Sequence, residues 1–126
     1  MTAAIKSGLI LFAHGSRDSQ WREPFDSILR YVQEHTPHLS SLAFLECMSP
    51  SLPEAIEKMA LEGAQQITVI PAFLAVGSHV RQDLPALIAK AQKKYPDLQI
   101  LTSASIGEQP AIQQAIARFA LDALNR

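Results

Sequence analysis

Residues 8–13 read Gly-Leu-Ile-Leu-Phe-Ala, six apolar residues in a row, followed at once by His14. An apolar run without alternation fits a strand covered on both faces, and such strands belong to parallel sheets flanked by helices. Downstream, Ser16, Arg17, Asp18 and Ser19 break the run, and Phe25, Ile28, Leu29 and Val32 then recur at helical spacing. Leu42-Ala43-Phe44-Leu45 reads as a second buried strand. Ser51-Leu52-Pro53-Glu54 has the form of a capping box with proline in the first turn. The helix it opens has Leu52, Ile56, Met59 and Ala60 as its apolar face and ends at Gly63. Ile67 to Phe73 is a third strand rich in β-branched residues, and Pro71, which cannot donate a ladder bond, limits pairing near its carboxyl end.

Asp83 is expected to cap a third helix, with Pro85 in its first turn and Leu84, Leu87, Ile88 and Ala91 as its stripe, stopping before Pro96. Leu98 to Thr102 makes a weaker fourth strand, placed at an edge. A last helix from near Pro110 is expected to bury Ile112, Ile116, Phe119, Ala120 and Ala123. The order is βαβαβαβα. It predicts an α/β fold, a four-stranded parallel sheet with helices on both faces, in one domain over residues 1–126.

Composition narrows the function classes. Eleven Lys and Arg against twelve Asp and Glu give a formal charge of −1, which argues against a nucleic-acid or anionic-membrane surface. A hydrophobic share of 48% can fill a core without staples, and the single Cys47 cannot form an internal disulfide. The apolar stretch ending at His14 is too short for a signal peptide or for the ~20 residues of a membrane span. A soluble, cytoplasmic chain is expected. Neither a P-loop nor a G-x-S-x-G elbow is present, so phosphate chemistry at a glycine-rich loop and serine hydrolysis both lack their usual scaffold.

In open parallel sheets, ligands bind beyond the carboxyl ends of the strands, where strand order reverses. His14 follows strand one, Glu46 ends strand two, and His79 lies in the loop after strand three. With strand order 2-1-3-4, His14 and His79 would face each other across the crevice. Two imidazoles and a carboxylate suit a divalent first-row metal such as Co, Ni, Zn or Fe, and three ligands leave coordination positions open. The loop Leu74-Ala75-Val76-Gly77-Ser78 is apolar up to its glycine and suits the face of a flat hydrophobic ligand, with Arg17 and Arg81 placed to hold carboxylates. Other residues have plainer readings. His35 and His38 sit at the end of helix one, Cys47 is taken as packing, and Trp21 covers the core. Asp83, four residues past His79, either caps its helix or orients that imidazole.

Three stretches carry a family resemblance: Leu11-Phe12-Ala13-His14-Gly15-Ser16-Arg17-Asp18, Phe44-Leu45-Glu46, and Ile70-Pro71 through His79-Val80-Arg81-Gln82-Asp83-Leu84-Pro85. Together they resemble the sirohydrochlorin chelatases, and more closely the short single-domain form called CbiX. The resemblance implies the class II chelatase fold, ATP-independent insertion of a divalent metal into sirohydrochlorin, and a homodimer of half-size units. It makes His14 and His79 the metal-binding pair, with His14 also the proton acceptor. Glu46 would contact substrate or assist proton removal. Ser16, Arg17, Arg81 and the loop Leu74, Ala75, Val76, Gly77, Ser78 and His79 would bind the ring and its acid groups. Co2+ is the favoured metal, in the cobalamin branch of tetrapyrrole biosynthesis. Ni2+ or Fe2+ is the near alternative, and no cofactor beyond the substrate metal is implied. Two rival classes stand beside this reading, a non-enzymatic metal or tetrapyrrole carrier and a phosphoryl-transfer enzyme using His14. A twofold partner is also expected because Phe12, Phe73, Leu74, Ala75 and Val76 would place much apolar surface around the rim.

Overall fold

Four parallel strands run in the order β2-β1-β3-β4. They are β1 (Ser7–Ala13), β2 (Leu39–Phe44), β3 (Gln66–Pro71) and β4 (Gln99–Thr102), and the connecting helices are α1 (Glu23–His35), α2 (Leu52–Leu61) and α3 (Ser78–Lys94). A fourth helix, α4 (Pro110–Ala123), follows β4, and short 3-10 turns stand at Ser19–Arg22 and Ile106–Glu108. The structure is a computed structural model and describes residues 5–125. Among these residues no helix is long and apolar enough to cross a membrane.

The strand order places the reversal between β1 and β3, where the sequence argument expects it. Register carries the two sheet faces straight across the sheet. Ile10 pairs with Val69 and Gly8 with Ile67, which in turn pairs with Ile100. This set faces α2 and α3, and with Phe12, Leu52, Ile56, Met59 and Leu84 it makes the main core. On the opposite face Leu11 lies between Leu42 and Ile70, and Leu9 lies between Ser40 and Thr68, which pairs with Leu101. Trp21, Phe25 and Leu29 cover the β1–β2 half of that face over Leu11, Ala13, Leu42 and Phe44. Covered on both sides, the centre of β1 has no need to alternate.

Local signals account for most element boundaries. Ser51 accepts from the Glu54 backbone N–H while the Glu54 carboxylate accepts from the Ser51 N–H at 2.8 Å, so the α2 capping box forms as the spacing predicts. Hydrogen bonding from the Ser51 backbone N–H, and from the Ser51 side chain, holds the Glu54 carboxyl below its ordinary value of 4.5. Pro71 is the last residue of β3, as its missing donor requires.

Three expectations fail, and each failure has a physical reason. The third helix starts at Ser78 rather than Asp83, with Gly77 at its N-cap position, so Pro85 stands inside it. Val80 joins Leu84, Leu87 and Ala91 at helical spacing and is buried, and that contact outweighs the one hydrogen bond Pro85 cannot donate. Phe12 belongs to the core and not to the apolar rim, packing edge-on against Phe73 with ring centroids 5.9 Å apart. The last helix forms where expected, yet none of its residues is buried. Its amphipathic stripe is real, but the chain after β4 leads it away from the sheet.

Candidate active site

The rim of the site is set by how far the strand pairing runs. Beyond the ends of β1 and β2 the ladder continues, with the Leu45 N–H donating to the Ala13 carbonyl and the Glu46 N–H to the His14 carbonyl at 3.0 Å. This last bond draws the two side chains together, leaving His14 Nε2 and Glu46 Oε1 2.9 Å apart. Gly15 makes the approach possible. Its φ is +94°, and a Cβ there would fall 1.9 Å from the Glu46 carbonyl oxygen. Cys47 follows with φ +68° and is exposed, so it is not the packing residue expected of a strand end.

On the other side of β1, the Ala72 N–H donates to the Phe12 carbonyl at 2.7 Å and extends the β3 pairing toward the apolar loop. Phe73 turns its ring edge-on to the His14 imidazole, with centroids 6.5 Å apart. Leu74 and Ala75 are exposed, and Arg81 donates one N–H to the Val76 carbonyl at 2.9 Å, fixing the loop from the helix behind it. The loop proper ends at Gly77. Ser78 and His79 belong to the first turn of α3, a correction to their assignment as loop residues. Placed on a helix, His79 meets Asp83 one turn on, with Nε2 and Oδ2 3.0 Å apart. Asp83 therefore orients the imidazole and does not cap the helix. The i, i+4 spacing is the sequence signal for this pair, and it becomes readable once the helix start is placed at Ser78.

His14, Glu46 and His79 thus share one rim, as the strand order requires. The structure pairs them differently from a single three-ligand cluster: His14 contacts Glu46, and His79 contacts Asp83. Among the described residues no group of three His, Cys, Asp or Glu side chains stands close enough to hold a metal ion. The His79 side chain is 80% exposed, so the rim is open to a large planar ligand. Ser16 accepts from the Asp18 N–H, Asp18 caps the 3-10 turn, and Arg17 is exposed beside them. The remaining histidines stand apart. His35 closes α1 by contacting the Tyr31 carbonyl at 2.7 Å and stacking on that ring, and His38 is exposed in the turn before β2.

Hydrogen-bonded to a carboxylate through Nε2–H, His14 keeps its Nδ1 lone pair for an ion or a proton. The same logic applies to His79 and Asp83. Two such pairs flank an apolar loop at the reversal of a parallel sheet, and each leaves one imidazole nitrogen free to take an ion or a proton. The CbiX family model matches residues 8–123. The chain belongs to the CbiX family.

The solved CbiX protein of Marinobacter aquaeolei VT8 is 32% identical, with a TM-score of 0.85 over 95% of this chain and 98% of that one. The sirohydrochlorin cobaltochelatase of Sulfolobus acidocaldarius is 30% identical over 94% of this chain and 93% of its own. The sirohydrochlorin chelatase SirB of Bacillus subtilis subspecies spizizenii, solved in complex with cobalt, is 26% identical with a TM-score of 0.81. This CbiX chain spans about half of SirB, covering 51% of it. A further cobaltochelatase, from Methanothermobacter thermautotrophicus, is 35% identical over 66% of this chain and 58% of its own length.

Proposed function

We propose that this CbiX-family protein is a chelatase that inserts a divalent metal ion into sirohydrochlorin without ATP, with Co2+ as its favoured metal. The observation that carries the reading is the His14–Glu46 pair, 2.9 Å apart on the rim that also bears His79. Support comes from the cobaltochelatases to which the chain is similar over nearly its whole length. The protein would act as a cytoplasmic homodimer, each chain forming one domain over residues 1–126.

Metal insertion exchanges two pyrrole protons for one M2+, so a site must release the ion and accept protons on the same face of the ring. An imidazole can do both in turn. While the ion arrives, His14 Nδ1 and a His79 nitrogen supply lone pairs, and only two protein ligands keep the ion exchangeable. When the ion passes to the ring nitrogens, His14 Nδ1 is freed and takes one pyrrole proton, and the freed His79 nitrogen takes the second. Glu46 stabilises the imidazolium so formed through its contact at Nε2. Leu74, Ala75, Val76 and Gly77 offer an apolar face to the macrocycle, and Ser16, Ser78, Arg17 and Arg81 meet its carboxylates.

The test is to incubate the protein with sirohydrochlorin and with each of Co2+, Ni2+ and Fe2+, following the absorption change anaerobically. Many turnovers per protein, fastest with Co2+, are expected. Faster turnover with Ni2+ or Fe2+ would keep the chemistry and reassign the metal. Stoichiometric binding without turnover would make the protein a carrier and refute the reading.

A further inference from the structure

The apolar loop leaves β3 on the edge that faces β4, and β4 ends too early to hold it. Strand-like pairing between the two stops where the Ser103 N–H donates to the Val69 carbonyl at 3.0 Å. Alternate carbonyls face the same edge of a strand, so Pro71 and then Phe73 come next on that side. A side chain serves them in place of the missing strand. Ser105 donates its hydroxyl to the Phe73 carbonyl, with the Pro71 carbonyl 3.3 Å away. It is 4% exposed, the one buried polar side chain among the described residues. A hydroxyl buried so deeply is costly unless it is bonded, and here its acceptor is the backbone at the root of the loop.

Gly107 holds the same point from the next turn of chain. Its N–H donates to the Phe73 carbonyl at 3.1 Å, and a Cβ on it would fall 1.6 Å from the Leu74 carbonyl oxygen and 2.7 Å from the Leu74 Cα. The demand for glycine is therefore one of space. The turn is itself stiff. The Glu108 N–H donates to the Ser105 carbonyl at 3.0 Å, and the Gln113 side chain donates to the Gly107 carbonyl at 2.9 Å. At the far end of the loop Arg81 holds the Val76 carbonyl. The loop is thus fastened through its backbone at both ends, with the exposed Leu74 and Ala75 spanning between. The two histidines are held from elsewhere, His14 by Glu46 beyond β2 and His79 by Asp83 on α3.

We infer that Ser105 and Gly107 are positioning residues of the ring site, setting where the apolar loop meets sirohydrochlorin while the metal-binding groups are set independently. The inference rests on the proposed chelatase function. Neither residue touches the macrocycle; both act through the Phe73–Leu74 backbone. Their substitutions reach the loop by opposite means. Carbon atoms in contact lie about 3.5–4.0 Å apart, so Gly107→Ala pushes the Leu74 backbone away by roughly 1 Å or more. Ser105→Ala pushes nothing. It removes the hydroxyl and leaves the Phe73 carbonyl with the Gly107 N–H alone, which loosens the loop. A loop fixed before binding spares the ligand the cost of ordering it, so both changes weaken ring binding. Neither disturbs the His14–Glu46 or the His79–Asp83 contact, so an ion alone binds as before.

The test compares the full-length parent with Ser105→Ala, Gly107→Ala and a control, Ser103→Ala, whose exposed hydroxyl bonds only the neighbouring Ala104 carbonyl. Amide hydrogen exchange reads the loop without any ligand. Residues 72–77 should exchange roughly tenfold faster in Ser105→Ala, with β1 and the body of β3 as in the parent. Titration with sirohydrochlorin should show binding weakened roughly tenfold or more in Ser105→Ala and Gly107→Ala, and unchanged in Ser103→Ala. Titration with Co2+ alone should match the parent in all three. Unchanged loop exchange in Ser105→Ala overturns the inference, because the hydroxyl would then hold nothing. Faster exchange with full sirohydrochlorin affinity overturns it too, as does an equal loss of Co2+ binding, which marks general damage to the rim. If Gly107→Ala fails to fold, Ser105→Ala decides alone, since it deletes a single oxygen. A parent that binds no sirohydrochlorin refutes the proposed function itself, and the positioning role falls with it whatever the exchange rates.

Discussion

His14 and His79 differ from His35 and His38 in position, not in chemistry, and substitution reads that difference. His14→Ala and His79→Ala each remove an exposed imidazole from the rim and nothing from the core, so on the proposed function both should fold and lose metal insertion. His35→Ala and His38→Ala should stay near parent activity in the same absorption assay. Glu46→Gln keeps the contact at Nε2 but removes the charge that stabilises an imidazolium. Insertion should slow by roughly 10²-fold or more while sirohydrochlorin binding is kept; an unchanged rate across pH would reduce Glu46 to a structural residue. Asp83→Ala releases the His79 ring, and the expected loss is about 10–100-fold in metal affinity, readable by titration with Co2+. Gly15→Ala must either abandon φ +94° or displace the Glu46 carbonyl from a Cβ 1.9 Å away. A stability loss of roughly 2 kcal/mol or more should accompany lost insertion, measured by urea unfolding.

At the level of elements, α2 is the clearest case of a sequence signal realised as written. Ser51→Ala removes the side-chain acceptor for the Glu54 N–H and should cost about 1 kcal/mol. Glu54 makes the same box pH-dependent. Its carboxyl is held below 4.5 by hydrogen bonds from the Ser51 backbone and side chain, so the charged form is favoured on folding. That stabilisation is complete above the unfolded value and is lost as pH falls through the lowered folded value. The stability gap between the parent and Glu54→Gln should accordingly be present at neutral pH and vanish in acid, as urea titrations at a series of pH values will show. The start of α3 was less legible, because Pro85 reads as a first-turn residue and Gly77 gives no side-chain cap. Tertiary burial of Val80 settles the boundary by adding a turn, and that turn carries His79.

For the molecule as a whole, stability rests chiefly on the core between the sheet and helices α2 and α3. Ile56 lies in the main core between α2 and the sheet, and Ile56→Ala should cost about 2–5 kcal/mol at any protein concentration. Urea unfolding of parent and variant over two decades of protein concentration checks this.

Fold class and strand count follow from the sequence by itself, as does the rim address of His14, Glu46 and His79, because they depend on short-range patterns: unbroken apolar runs, helical stripes, a capping box, and the rule that parallel sheets bind at their carboxyl ends. Which side chains meet was a tertiary matter. The His14–Glu46 contact spans thirty-two positions and depends on a register bond beyond two strand ends and on a glycine at positive φ. The fate of α4 was tertiary too. An amphipathic stripe says that a helix must bury one face, but hydrophobic attraction has no direction. Only the fastening of Gly107 and Ser105 to the Phe73–Leu74 backbone aims the helix away from its own sheet.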